Sequence, residues 1–205
     1  VSAHGSLVFA LTGGIGCGKS TVARLWKDAG LAIVDADSLA KEVVATGSAG
    51  LERVAHAFGP GVLTPNGELD RAALGQLVFG DAEARAKLEA LLHPLIRGAA
   101  EARFAALERA GERLICYEIP LLFETGQAER FRPVIVVDAP DELRVERITE
   151  RDGLTSESAR QRVAAQWPLA EKVKRADAVI DNGGSLEQTA AQADALLERL
   201  RSALV

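Results

Sequence analysis

Five short apolar runs recur along the chain, at Leu7–Leu11, Leu31–Val34, Leu114–Tyr117, Val134–Val137 and Ala178–Ile180, and each is followed by a glycine, a carboxylate or another turn-forming residue. Helical patterns fill most of the intervals between them. After the first run, Val22, Leu25, Trp26 and Ala29 share helical spacing within Thr21–Ala29, and Gly30 stands where a left-handed C-terminal cap is wanted. Strands rich in Val, Leu and Ile that alternate with helices are the pattern of a parallel sheet with crossover connections, so the fold class is α/β.

Roughly 80 residues separate the second and third strands, far more than the dozen or so a crossover needs, so something extra is inserted there. Leu88, Leu91, Leu92, Leu95 and Ile96 recur at the spacing of an amphipathic helix, while Pro60, Gly61, Pro65, Asn66 and Gly67 mark turns. The insertion reads as a small helical substrate domain. A second excursion, 144–175, is rich in arginine, with basic residues outnumbering acidic ones eight to five. The expected division is a nucleotide-binding core at 7–47, 111–143 and 176–205, a helical insertion at 48–110 and a lid at 144–175.

With 205 residues and 48% hydrophobic content, the chain can bury a core of its own. A formal net charge of -5 argues against a broad nucleic-acid surface, so any anionic ligand must be held locally. No apolar stretch has the length of a membrane span, and the expected location is the cytoplasm. Two cysteines make no disulfide framework; Cys17 and Cys116 are read as reduced. Met is absent even at position 1, and Val1–Ser6 is left out of the fold reasoning.

The first strand leads into Gly13, Gly14, Ile15, Gly16, Cys17, Gly18, Lys19, Ser20 and Thr21, which matches G-x-x-x-x-G-K-[ST] between a strand and a helix. In such a P-loop the glycines turn backbone N–H groups inward, the next helix aims its positive end at the anion, and the lysine adds charge near the β- and γ-phosphates. Lys19 is therefore the expected ATP-binding cation and Ser20 the expected Mg²⁺ contact. A glycine-rich turn that binds nothing would need the whole motif and its context to coincide by chance. The guanine-specific N-K-x-D motif is missing and the chain is too short for the usual extra modules of motor ATPases, which leaves the small-molecule kinases.

Val34-Asp35-Ala36-Asp37, Leu92-His93-Pro94-Leu95-Ile96, Ile119-Pro120-Leu121-Leu122-Phe123-Glu124, Arg147, Arg151-Asp152-Gly153-Leu154, Gln166 to Lys172, Ala176-Asp177 and Asp181-Asn182 follow the P-loop in order. Together these resemble the dephospho-coenzyme A kinase family over nearly the whole chain after Ser6. The resemblance implies a P-loop core, a helical domain for dephospho-coenzyme A, a mobile lid over ATP, and transfer of the γ-phosphoryl group to the ribose 3′-hydroxyl with Mg²⁺. Lys41 departs from it, standing where many members carry arginine.

The resemblance makes Asp35 the catalytic base, and a carboxylate at the carboxyl end of a strand can accept a bond from the acceptor hydroxyl. Asp35 and Asp37 would equally suit a cap on the next helix. Arg147 and Arg151, four apart, share a helical face and suit the spread charge of a transferring phosphoryl group; with Glu146, Glu150 and Asp152 beside them, a surface laced with ion pairs has the same pattern. His93 and Arg71 are assigned by resemblance and position to the acceptor side, against a histidine beside a Pro94 kink and a solvated arginine. Glu118 stands where P-loop proteins hold Mg²⁺ through a carboxylate. Asn182 stands where the family approaches adenine, or turns the chain before Gly183-Gly184.

Overall fold

Residues 5–204 are described by the computed structural model, so Val1–His4, within the N-terminal stretch set aside above, lie outside the described residues. The strands are β1 (Leu7–Gly13), β2 (Ala32–Asp35), β3 (Leu114–Glu118), β4 (Val134–Asp138) and β5 (Ala178–Asp181). All pair in parallel, in the order β2-β3-β1-β4-β5. Phe9, Ile115, Cys116 and the four valine and isoleucine residues of β4 are buried, as expected of a sheet covered on both faces. Each strand runs one or two residues beyond its apolar run, ending on the residue that leaves for the carboxyl edge.

The helices are α1 (Lys19–Asp28), α2 (Ala36–Glu42), α3 (Ala49–Phe58), α4 (Arg71–Val78), α5 (Ala82–Arg109), α6 (Asp141–Asp152), α7 (Ser156–Ala164), α8 (Leu169–Lys174) and α9 (Leu186–Ser202). In α1, Val22 and Trp26 are buried; the Trp26 ring meets Phe9 edge-on at 5.6 Å, and its Nε1–H donates to the Ala193 carbonyl of α9 at 2.9 Å. Gly30 is left-handed at φ 82° and its N–H returns to the Lys27 carbonyl, which closes the helix as its position predicts. Ser185 and Gln188 form a reciprocal capping box at the start of α9. Phe104, Tyr117 and Phe131 meet edge to face at 5.0–5.9 Å.

The chain divides into two units, one made of the residues up to Asp35 with those from Phe104 onward, the other of Ala36–Arg103. The second unit is helical, apart from a single bridge between Leu63 and Leu69. Its own core gathers Val44, Val54, Val62 and Leu74, with Leu88 and Leu92 of the leucine stripe packed against them. Pro94, where the sequence predicts a kink, lies inside α5, which is one helix from Ala82 to Arg109. No helix among the described residues is long and apolar enough to cross a membrane.

Candidate active site

The phosphate loop leaves β1 at Gly13 and enters α1 at Lys19, whose N-terminal cap is Gly18 at φ 85°. Gly16, at φ 78°, is left-handed too, and no side chain with a β-carbon adopts two such turns cheaply within three residues. Three consecutive carbonyls of the loop accept bonds from outside it. Arg144 Nε donates to Ile15 at 3.0 Å, Arg147 Nη1 to Gly16 at 3.4 Å, and Asn182 Nδ2 to Cys17 at 2.7 Å. These three oxygens are bonded from outside the loop, while the Gly14 carbonyl accepts from the Cys17 N–H at 3.3 Å within it; the N–H groups at the head of α1 are of the kind that suits an anion. Lys19 Nζ lies over the loop, 3.3 Å from the Gly14 carbonyl, and Ser20 and Thr21 follow in the first turn of α1.

The backing groups are themselves fixed. Asn182 is buried, and its Oδ1 accepts from Thr189 Oγ1 at 2.9 Å, while Arg147 Nη2 reaches the Asn182 carbonyl at 3.0 Å. Asn182 directly follows β5, and its side chain braces the Cys17 carbonyl, a contact that neither the adenine reading nor the turn reading named. Burial pushes the Cys17 thiol above its ordinary range, against the lowering effect of Arg144 and Lys19 nearby, so it is held as a neutral, small side chain. Cys116 is raised further by full burial.

Asp35 is the last residue of β2 and stands in register with Glu118, the last residue of β3, which in turn pairs with Leu11 just before the phosphate loop. Two carboxylates are thereby set side by side on neighbouring strands at the carboxyl edge of the sheet, where open α/β folds bind ligands. Ser20 and Glu118 offer hard oxygens of the kind Mg²⁺ takes, and no group of three or more metal-binding side chains occurs among the described residues.

Arg147 and Arg151 share α6 but part company in space. Arg147 lies against the loop, whereas Arg151 forms a two-point pair with Asp152, at 2.7 and 3.0 Å, with its side chain 63% exposed. That hydrogen bond raises the Arg151 guanidinium and lowers the Asp152 carboxyl from their usual values. Arg162 of α7 joins the same carboxylate at 3.0 Å. Beside α6, an open cleft of about 1040 Å³ is bordered by the sheet edge, α7 and α8, with Asp138, Glu142 and Asp181 lining it as well as Arg144, Arg160 and Lys174. In the helical unit Arg71 and His93 are both exposed; Arg71 opens α4 directly after its Asp70 cap.

Two groups carry weight that the one-dimensional pattern did not single out. Arg144 is almost wholly buried under the loop, paired with Asp141 at 2.6 Å. Lys172 of α8, fully buried, pairs with Glu124 at 2.6 Å. Its Nζ is 3.5 Å from the Pro120 carbonyl, which also accepts from Thr12 at the end of β1. For Lys172 the signal was its place at the end of the stretch from Gln166 that the resemblance quotes, which gave it no role; for Arg144 it was the helical offset of three from Arg147.

A family model described as dephospho-CoA kinase matches residues 7–188. The dephospho-CoA kinase of Geobacillus kaustophilus is 47% identical over 194 residues, covering 95% of this chain and 96% of that relative. That of Arabidopsis thaliana is 43% identical, with 96% and 85% covered. Among solved structures, a Thermus thermophilus protein superposes with a TM-score of 0.84 at 39% identity, covering 96% of this chain and 98% of the other. Dephospho-CoA kinase from Campylobacter jejuni follows at 0.65 and 30%, with 95% and 97% covered. Shikimate kinase from Acinetobacter baumannii, at 0.50 and 18%, shares the fold.

Proposed function

This chain belongs to the dephospho-CoA kinase family, a kinase family that uses ATP in coenzyme A biosynthesis, and on that premise we propose how its residues divide the reaction. The P-loop holds the β- and γ-phosphates through N–H groups at the head of α1 and through Lys19, with Asn182 on the adenine side. Ser20 and Glu118 would hold Mg²⁺, which when bound would neutralise charge on the phosphates. Asp35 accepts the hydrogen bond of the ribose 3′-hydroxyl and receives its proton late. The hydroxyl oxygen bonds to the γ-phosphorus as the bond to the β–γ bridging oxygen breaks, and ADP departs. Arg147 and Arg151 meet the spread charge, Arg151 by exchanging Asp152 for phosphate. Arg71 and His93 are assigned to the acceptor, and α7 and α8 to a lid. We place the reaction in the cytoplasm, where the free thiols of Cys17 and Cys116 stay reduced.

The observation that supports this reading is the bonding of three loop carbonyls from outside the loop that leads into α1, together with two strand-end carboxylates in register on neighbouring strands. Incubation with ATP, Mg²⁺ and a panel of AMP, CMP, UMP and dephospho-coenzyme A tests it. Coenzyme A and ADP should form only with the last. Phosphorylation of a nucleoside monophosphate in its place points instead to a nucleoside monophosphate kinase, and failure to turn over any acceptor points to a regulatory nucleotide-binding module.

A further inference from the structure

Ile15, in the middle of the phosphate loop, has both backbone polar groups bonded from outside the loop. Its N–H donates to Gln166 Oε1 at 2.7 Å, and its carbonyl accepts from Arg144 Nε at 3.0 Å. Arg144 is 2% exposed and is anchored in turn by Asp141. A charge buried to this degree is kept only where its bonds are made, and the bonds to Ile15 and Asp141 hold the guanidinium against the loop.

That position explains a glycine. A β-carbon on Gly14 would lie 2.4 Å from Arg144 Nη2 and 2.8 Å from Cζ, closer than real contacts permit. Gly14 is absent from the left-handed glycines, so its backbone shape would accept alanine. Gly16, by contrast, is excluded twice over, by its φ of 78° and by the Arg144 carbonyl 2.7 Å from a built β-carbon. Glycine at 14 is therefore a requirement of the arginine packed on it.

We propose that Arg144, seconded by Gln166, is a positioning residue for ATP: α6 and the α7–α8 connection hold the first half of the loop in its phosphate-binding shape, and Arg144 dictates the glycine at 14. The proposal rests on the P-loop holding ATP, a reading that fails separately if Lys19→Ala keeps wild-type ATP affinity. Since Arg144 is turned to the loop's outer side, its loss should be felt in ATP binding more than in the transfer step.

The test is steady-state kinetics of the full chain at saturating dephospho-coenzyme A, with Arg144→Ala, Gly14→Ala and the double variant. Arg144→Ala should raise the KM for ATP about tenfold with kcat changed less than about threefold, the size expected for losing a charged hydrogen bond. Gly14→Ala should raise the KM comparably, and the double variant should exceed Arg144→Ala by less than about twofold, because the guanidinium that the added methyl group collides with is gone. Effects on KM that multiply, or a wild-type KM in Arg144→Ala, would overturn the proposal. Lower kcat at unchanged KM would do the same, because it reports only a smaller folded fraction. If Arg144→Ala does not fold, Gln166→Ala decides: a KM raised about threefold supports the proposal, an unchanged KM overturns it.

Discussion

The carbonyls of Ile15, Gly16 and Cys17 are bonded by side chains that are buried or half-buried, whereas along α6–α8 the charges of Arg151, Arg162 and Lys174 meet their carboxylates at the surface. A hydrogen bond to a charged group that is shielded from water contributes about 1.5–3 kcal/mol, while exposed ion pairs contribute about 0–1 kcal/mol. The loop is thus set before nucleotide arrives. Arg151, Arg162 and Lys174 can trade a carboxylate for a phosphate at little cost, on helices that are themselves held by a small core of Val145, Ile148 and Ala159 and by the buried Lys172–Glu124 pair.

The contrast can be broken from either side. The largest effect is expected on the rigid side, at Asp35→Asn, which keeps the shape of the side chain but cannot take a proton; kcat should fall by roughly 10²- to 10⁴-fold with ATP affinity near wild type. Persistent slowness at saturating Mg²⁺ supports the base, and recovery at high Mg²⁺ makes Asp35 a metal ligand instead. Lys19→Ala should cost roughly 10²- to 10³-fold in turnover and weaken ATP binding as well, read by kinetics and by titration of the nucleotide.

The two arginines of α6 sharpen the comparison further. Arg147→Ala removes bonds to both Gly16 and Asn182 and so should raise the KM for ATP as well as lower kcat. Arg151→Ala breaks only a surface pair and should lower kcat by about tenfold or more while sparing the melting temperature. An equal loss of stability in both would erase the distinction. The smallest effect is on motion: with a non-hydrolysable ATP analogue, amide exchange across 144–175 should slow, most in α7 and α8 and least in the first turns of α6 beside Arg144. Uniform exchange with saturated nucleotide would mean the whole segment is static.

Local information already determined much of this protein. The five strands, the P-loop and its helix, the Gly30 cap and the leucine stripe of α5 are set by periodicity and by residues within a turn or two of one another, so their positions could be read along the chain. The strand order and the braces of the loop could not. Arg144 meets Ile15 across 129 positions and Asn182 meets Cys17 across 165, and an offset of three from Arg147 does not by itself tell a buried arginine from a solvated one. Arg147 and Arg151 show the same limit, since equal spacing on one helix leaves open which of them faces the loop and which faces water. Likewise Asp35 and Glu118 lie 83 positions apart until parallel pairing of β2 with β3 sets them in register. Side-chain partners across such distances are chosen by which elements pack together and by where burial makes an unmet polar group too costly, and both are properties of the assembled sheet and helices.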